Sequence, residues 1–251
     1  MRENRLKTLW AEGKAATNCW IHTDSAFVVE AMAHQGWDTL TIDMQHGLIG
    51  VPEMHAMLLA VSATPTVPLV RVPWNDPAMI MKALDAGAYG IICPMINSRE
   101  ECERFVGACR YMPEGYRSVG PNRAIIYGGP DYMKMANQTV LSFAMIETRE
   151  GFDNLEDICA TPGLDAILIG PSDLGLSLGG EPRLDQTNSV VVEAIDHILA
   201  TSQRNGLRCA IVNGSVAYAK EMIAKGFDLV TVVSDMALLR GGYELARAMR
   251  D

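Results

Sequence analysis

Eight short apolar runs, "TNCWIH", "TLTIDMQ", "VPLVRV", "GIICPMI", "LSFAMIE", "AILIG", "RCAIVN" and "DLVTVVS", recur along the chain, separated by segments patterned for helix. No other feature restricts the fold so tightly. Each run is rich in β-branched residues and continuous rather than alternating, as expected of a strand covered on both faces. In "NDPAMIMKALDAG", Pro77 falls in a first turn, where its missing N–H is harmless; Ile80, Ala83 and Leu84 share a face, and Gly87 ends the helix. Ser98 to Glu101 read as a capping box, and Met54, Met57, Leu58 and Val61 keep the 3.6-residue period. Continuous strands alternating with amphipathic helices imply a parallel sheet. Eight such units in 251 residues imply an α/β fold of the (β/α)8 or TIM barrel type, a single domain over 1–251 with an N-terminal helix. An open doubly wound sheet is the alternative, but no run is followed by a GxGxxG turn. One connection breaks the rhythm. Residues 111–139 are rich in Gly, Pro and Tyr and predict a long loop, read as a lid at a strand's carboxyl side.

Hydrophobic residues make up 49% of the chain and charged residues 20%, which is ordinary for a protein with a sizeable core. A net charge of −9 argues against a nucleic acid partner, whose phosphates attract Lys and Arg, and so favours a small-molecule partner. Cys19, Cys93, Cys102, Cys109, Cys159 and Cys209 form no CxxC and no Cys/His cluster, which suits a reducing cytoplasm rather than a disulfide or zinc framework. "MRENRLKTLWAEGK" has no apolar signal core, and no apolar run reaches the about 18 residues of a membrane span. The expectation is a protein neither secreted nor membrane-spanning. His34, His55 and His197 fall within helices and read as structural or solvated, and the methionines as helix core faces.

In a parallel barrel the chemistry sits where strands end. The second strand ends in Asp43 and His46, the third in Arg71, the fifth in Glu147, and the sixth in "IGPSD" with Asp173. Any one of these has a plain explanation as a surface ion pair or a hydrogen-bonded bystander; convergence on one mouth makes a candidate site. Neighbouring strands lie about 4.8 Å apart, so the carboxylates of Glu147 and Asp173 can meet. They repel unless one is protonated, a base neutralises them, or a cation sits between. A hard divalent ion resolves this best, because Mg2+ or Mn2+ fills its remaining positions with water and substrate oxygens. Zinc lacks an evident third ligand. His22 ends the first strand and is a further candidate for the mouth, with Trp20 beside it as pocket wall.

"IDMQHG", "VRVP", "LDAGAYGIICPMI", "MIETREGFDNL" and "LDAILIGPSDLGLSLG" resemble, in order, the motif series of the HpcH/HpaI family, the divalent-metal-dependent class II pyruvate aldolases, over roughly residues 5–245. The spaced pair ETREG and IGPSDL is the most specific part. The resemblance implies that Glu147 and Asp173 bind Mg2+, Mn2+ or Co2+, which chelates the carboxylate and keto oxygens of a 2-oxoacid. His46 would accept the proton and Arg71 stabilise the oxyanion. Asp85, in "LDAG", would raise the basicity of that histidine, within one chain or across a subunit boundary, with Asp43 a secondary orienting partner. Backbone N–H groups of Ser172 and Asp173, after Gly170, would hold the substrate carboxylate. Val119 and Arg123, in "YRSVGPNRA", are aldehyde-side candidates, and Val212 a further pocket residue. A homo-oligomer built from dimers with composite sites, a hexamer arranged as a trimer of dimers, is also implied. Two positions depart from the pattern: Gln45 stands where the family often has Glu, and Met145 where it often has Gln.

The chemistry is coherent without the resemblance. Removing a methyl proton from pyruvate demands that charge spread onto the keto oxygen, which a cation and an arginine both favour. A histidine can accept and return that proton near neutral pH. Lys82, Lys134, Lys220 and Lys225 lie in helix or loop segments, which favours a metal over a Schiff base. The expected function is a carbon-carbon lyase joining pyruvate, or a related 2-oxoacid such as hydroxypyruvate, to an aldehyde to give a 4-hydroxy-2-oxoacid. A related barrel acting on phosphoenolpyruvate or an acyl-CoA thioester is one alternative, weakened by the absence of a phosphate-binding Gly-rich loop. A catalytically silent binding barrel is another. The terminal "MALLRGGYELARAM" suits packing against a neighbour and an ordinary last barrel helix equally.

Overall fold

All eight runs are strands in the computed structural model, which describes residues 1–250. They are β1 (Ala16–Ile21), β2 (Thr39–Asp43), β3 (Val67–Arg71), β4 (Gly90–Cys93), β5 (Leu141–Ile146), β6 (Ala166–Ile169), β7 (Arg208–Val212) and β8 (Leu229–Ser234). Each pairs in parallel with the next, and β8 pairs with β1 to close the barrel. The helices on the way out to and back from the strands begin with α1 (Arg5–Ala11), α2 (Ala26–Ala33), α3 (Val51–Val61), α4 (Pro77–Asp85) and α5 (Arg99–Cys109). Then follow α6 (Asn122–Gly128), α7 (Tyr132–Thr139), α8 (Arg149–Asp153), α9 (Leu155–Cys159) and α10 (Pro171–Ser177). The last are α11 (Ser189–Arg204), α12 (Val216–Lys225) and α13 (Asp235–Ala248).

Local chemistry starts the helices where the sequence indicates. Asp76 accepts from the Ala78 N–H at 2.9 Å ahead of Pro77 in α4, and Ser98 accepts from the Glu101 N–H at 3.2 Å ahead of α5. Glu101 reaches one residue past the usual capping-box partner, accepting from the Asn97 N–H at 2.7 Å.

Strand side chains split into two cores. Ile42, Val70, Ile91, Ile146, Ile169 and Ile211 face outward against the helices, while Leu69, Ile92, Phe143 and Leu168 fill the barrel. Gly90 is required by the inner layer, because a Cβ there would come within 2.6 Å of Leu69 Cδ2 and 3.2 Å of Phe143 Cε2. At the other side of the barrel the filling is polar. Asn18 donates to Thr231 Oγ1 at 3.0 Å and accepts from the Thr39 and Thr41 hydroxyls at 2.7 and 3.0 Å, stitching β8, β1 and β2 together from within. The amino end is plugged by α1, whose Trp10 meets Phe143 edge-on at 6.1 Å. The six thiols are free and buried. Burial pushes Cys19, Cys102, Cys109 and Cys159 up to about 12, so none is a ready nucleophile. Among the described residues no helix is long and apolar enough to cross a membrane.

Segment 111–139 corrects the expected loop and lid. It contains α6 and α7 and departs from the end of α5, where helices return to strand beginnings, on the side opposite the mouth. Buried Arg110 donates to Val140 O at 3.1 Å and Ser142 Oγ at 3.2 Å at the start of β5, and to Asp165 ahead of β6. Its aromatic residues serve packing: the Arg117 guanidinium lies 4.4 Å over the Tyr111 ring and donates to Tyr132. The Gly and Pro content mimics a loop, but Tyr111 and Tyr132 pack into the same core as the barrel filling.

Candidate active site

Inward-facing positions at the carboxyl ends of the strands converge on a cleft of about 310 Å3. Trp20, Arg71, Met145 and Val212 reach it from strands, and His46, Gly170, Ser172 and Asp173 from the segments that follow β2 and β6. Those eight expected residues are brought together. Alternation explains the strand members, since inward positions recur every second residue and the last of each emerges where the core ends.

Asp43 is the hub. Fully buried at the end of β2, it accepts from Arg71 Nε at 2.8 Å and Nη2 at 2.6 Å, a two-point pairing that fixes the guanidinium plane. Its Oδ1 also accepts from the Gln45 and His46 N–H groups at 3.1 and 3.4 Å, so the turn carrying the exposed His46 hangs from the same carboxylate. Burial would raise Asp43, but hydrogen bonds from His22 and Arg71, reinforced by their charges, outweigh it and hold the carboxyl well below its ordinary value. Arg71 lies over the Trp20 ring at 4.3 Å, and Trp20 in turn donates from its indole to Thr231 at 2.7 Å. Only Nη1 of Arg71 is left toward the pocket, 3.8 Å from the Met145 sulfur.

Glu147 follows β5 and is 3% exposed. Its Oε1 accepts from the Met95 N–H at 2.9 Å, and Met95 adopts a left-handed φ of 55°. Its Oε2 occupies the space that a Cβ on Gly170 would need, 2.5 Å away. Burial first, then the Asp173 charge, raise Glu147 to about 7 against the Met95 hydrogen bond. Asp173 itself is exposed in the first turn of α10. A buried acid facing a second acid, with a glycine keeping the space between strand and helix open, is a donor set that fits a divalent cation. Among the described residues no group of three or more His, Cys, Asp or Glu is placed to hold a metal.

Three expected residues lie elsewhere within the chain, and Gln45 stays at the margin. Asp85 pairs with Arg117 at 2.7 Å and lines a separate cleft with Arg123 and Gly120. Arg123 does not line the mouth: its guanidinium donates to Leu58 O at 3.0 Å and to Ala86 O, tying α6 to α3 and to the end of α4. Val119 is exposed next to that cleft and does not line the mouth. Gln45 does not line the cleft either, and its Oε1 is buried without a partner. The reason is common to all four: a residue's distance in sequence from a strand end does not say which way its helix or turn faces.

Two residues matter more than the sequence suggests. His22 lines the mouth, with Nε2 at 3.2 Å from Asp43 and Nδ1 at 3.5 Å from Asp235. The Asp235 contact is the longer of the two. Asp235 first and Asp43 second hold the ring protonated up to about 9, against burial. Asp235 was absent from the expected set, yet it accepts from the His22, Thr23 and Met236 N–H groups at 3.0, 2.9 and 2.7 Å. The signal was available: Asp235 follows "LVTVVS" as Glu147 follows "LSFAMI", a polar residue at the end of an apolar strand.

The fold and the mouth together define an enzyme of the (β/α)8 class with its chemistry at the strand ends. The profile of the HpcH/HpaI aldolase/citrate lyase family matches residues 16–241. The chain is similar to the hydroxypyruvate/pyruvate aldolase of Rhizorhabdus wittichii, 42% identical over 236 residues that cover 94% of each chain. It is 33% identical over 241 residues to the 5-keto-4-deoxy-D-glucarate aldolase of Salmonella arizonae, covering 95% of this chain and 93% of that one. A solved HpcH/HpaI aldolase/citrate lyase family protein from Burkholderia cenocepacia superposes with a TM-score of 0.90 at 32% identity, covering 99% and 100% of the two chains. This chain belongs to the HpcH/HpaI aldolase/citrate lyase family.

Proposed function

We propose that the protein is a metal-assisted aldolase that adds the methyl or hydroxymethyl carbon of pyruvate or hydroxypyruvate to an aldehyde, giving a 4-hydroxy-2-oxoacid, and runs the cleavage in reverse. The observation that carries this reading is the Asp43–Arg71 pairing, which leaves one guanidinium edge directed into the cleft near Glu147. The 42% identity to a hydroxypyruvate/pyruvate aldolase supports the donor class.

Glu147 and Asp173 would hold the cation, Mg2+, Mn2+ or Co2+, which when bound supplies Lewis-acid polarisation of the donor's keto group. His46 takes a proton from the carbon next to that group, leaving an enolate. Arg71 Nη1 stabilises the charge that gathers on the enolate oxygen, and its pairing with Asp43 means it does not have to reorganise to do so. The enolate carbon bonds to the aldehyde carbon, and the resulting alkoxide recovers the proton from His46. Main-chain N–H groups at Ser172 and Asp173 hold the donor carboxylate. Trp20 and Val212 wall the pocket, and Met145 offers no hydrogen bond of amide strength, which suits a donor gripped mainly at its carboxylate and keto oxygens.

Asp85 and Val119 contribute to chemistry only if a second copy presents them to the mouth, so the same reading makes the protein a homo-oligomer, a hexamer arranged as a trimer of dimers. Free, buried cysteines suit a cytoplasmic protein. The test is retro-aldol turnover of 4-hydroxy-2-oxoacids after EDTA treatment. Activity should vanish and return with added Mn2+, Co2+ or Mg2+; full turnover in the chelated enzyme would rule the mechanism out.

A further inference from the structure

His22 directly follows β1 with a carboxylate on either side. Asp43 approaches from β2, Asp235 from the junction of β8 and α13, and Arg71 on β3 lies behind Asp43. The Trp20 ring lies nearly parallel to the imidazole, 6.5 Å away at 13°, and the nearby Cys19 thiol stays neutral because burial raises it to about 12. Both carboxylates are buried, at 0% and 2% exposure. An imidazole whose two nitrogens each face a carboxylate oxygen needs a proton on both, because a bare nitrogen would set lone pair against lone pair. With that proton the cluster of Asp43, Asp235, Arg71 and His22 is electrically balanced. Without it, the cluster sets two carboxylates against one guanidinium and is left with a net negative charge.

We propose that His22 is a positioning residue of the aldol site: as a cation bridging Asp43 and Asp235, it keeps Asp43 seated on Arg71 and on the turn that carries His46. The inference rests on the aldolase reading. Asp43 holds both the oxyanion stabiliser and the backbone of the base, so a small swing of its carboxylate misplaces both at once. His22 limits that swing from one side. Its main-chain N–H is itself held by Asp235 at 3.0 Å, and its carbonyl accepts from the Leu48 N–H at 3.3 Å, so the ring's anchor is rigid. Loss of the second ring proton releases Asp43 on that side, and turnover falls on the alkaline limb. With the ring raised to about 9, that fall is expected near the same pH.

The experiment compares wild type with His22→Gln, using saturating Mn2+ and a 4-hydroxy-2-oxoacid that releases pyruvate, from pH 6 to pH 10. Glutamine can donate from one nitrogen only. The expected result is a kcat reduced about 10-fold or more, a KM changed by less than about threefold, and no alkaline fall near 9. Wild-type kcat with an unchanged alkaline limb in His22→Gln overturns the proposal. A second measurement needs no turnover and no folded variant of His22: the NMR titration of its Cε1 proton in the wild-type protein. A ring titrating well above 7, and lower in Asp235→Asn, supports the bridge; a ring titrating at or below 7 in wild type overturns it. Absence of aldol turnover in wild type would count against the aldolase reading alone, because the titration reports the bridge independently.

Discussion

Asp43 accepts hydrogen bonds from Arg71 on β3 and from the turn after β2 and pairs with His22, and Asp235 ties the chain after β1 to the first turn of α13. Burial opposes ionisation of Asp235, yet hydrogen bonds from His22 and Thr23, side chain and backbone, hold it below its ordinary value. A carboxyl lowered on folding stabilises the native state fully above its unfolded pKa and loses that contribution as pH falls through its folded one. Asp235→Asn should therefore cost about 2–4 kcal/mol at pH 7, with the gap to wild type closing as pH drops from 4 toward 2. Urea unfolding followed by tryptophan fluorescence measures it; an equal gap at pH 3 and pH 7 would show that charge is not the cause.

The decisive element is the turn from β6 into α10. Gly170 is the helix N-cap, and the space above it is filled by Glu147 Oε2 and by Met145 Cε, 2.5 and 2.7 Å from where a Cβ would lie. A methyl group there must push the Glu147 carboxylate aside, since Gly170 belongs to the backbone of a buried strand end. Gly170→Ala should lower Mn2+ affinity at least about 10-fold with the far-ultraviolet circular dichroism unchanged. Calorimetric titration with Mn2+ tests it, and wild-type affinity would remove Glu147 from the metal site. On the neighbouring connection Met95 shows the same economy, its left-handed backbone turning an N–H onto the other Glu147 oxygen.

At the scale of the whole molecule, α13 packs on β1 and β8 and leaves apolar side chains on its outside. Leu238, Leu239, Tyr243 and Leu245 are 52–73% exposed, so the apolar face of this helix is not packed as a last barrel helix would be. A second copy covering that face would account for it. Light scattering should give the mass of six chains, and Leu239→Glu with Leu245→Glu should reduce it. A wild-type protein that runs as a monomer would overturn the hexamer.

Strands and their order were legible because a strand buried on both faces has to be apolar throughout, and "TLTID" or "AILI" can do little else. The same logic placed Arg71 and Asp173 on the cleft, since a polar residue ending such a run emerges where the core stops, while Glu147 stays buried against Gly170. Strand-end position did not reveal partnership. Asp43 became the centre and Asp85 moved to another cleft because hydrogen bonding depends on which way two side chains face across the barrel, and Asp43 and Arg71 are far apart in sequence. His22 and Asp235 come from the two ends of the chain, and they meet only because β8 closes onto β1. Sequence alone determined the eight strands, the alternating helices and the acids at the strand ends, all properties of local pattern. The tertiary structure alone decided which partners those acids meet, because that depends on the closure of the barrel.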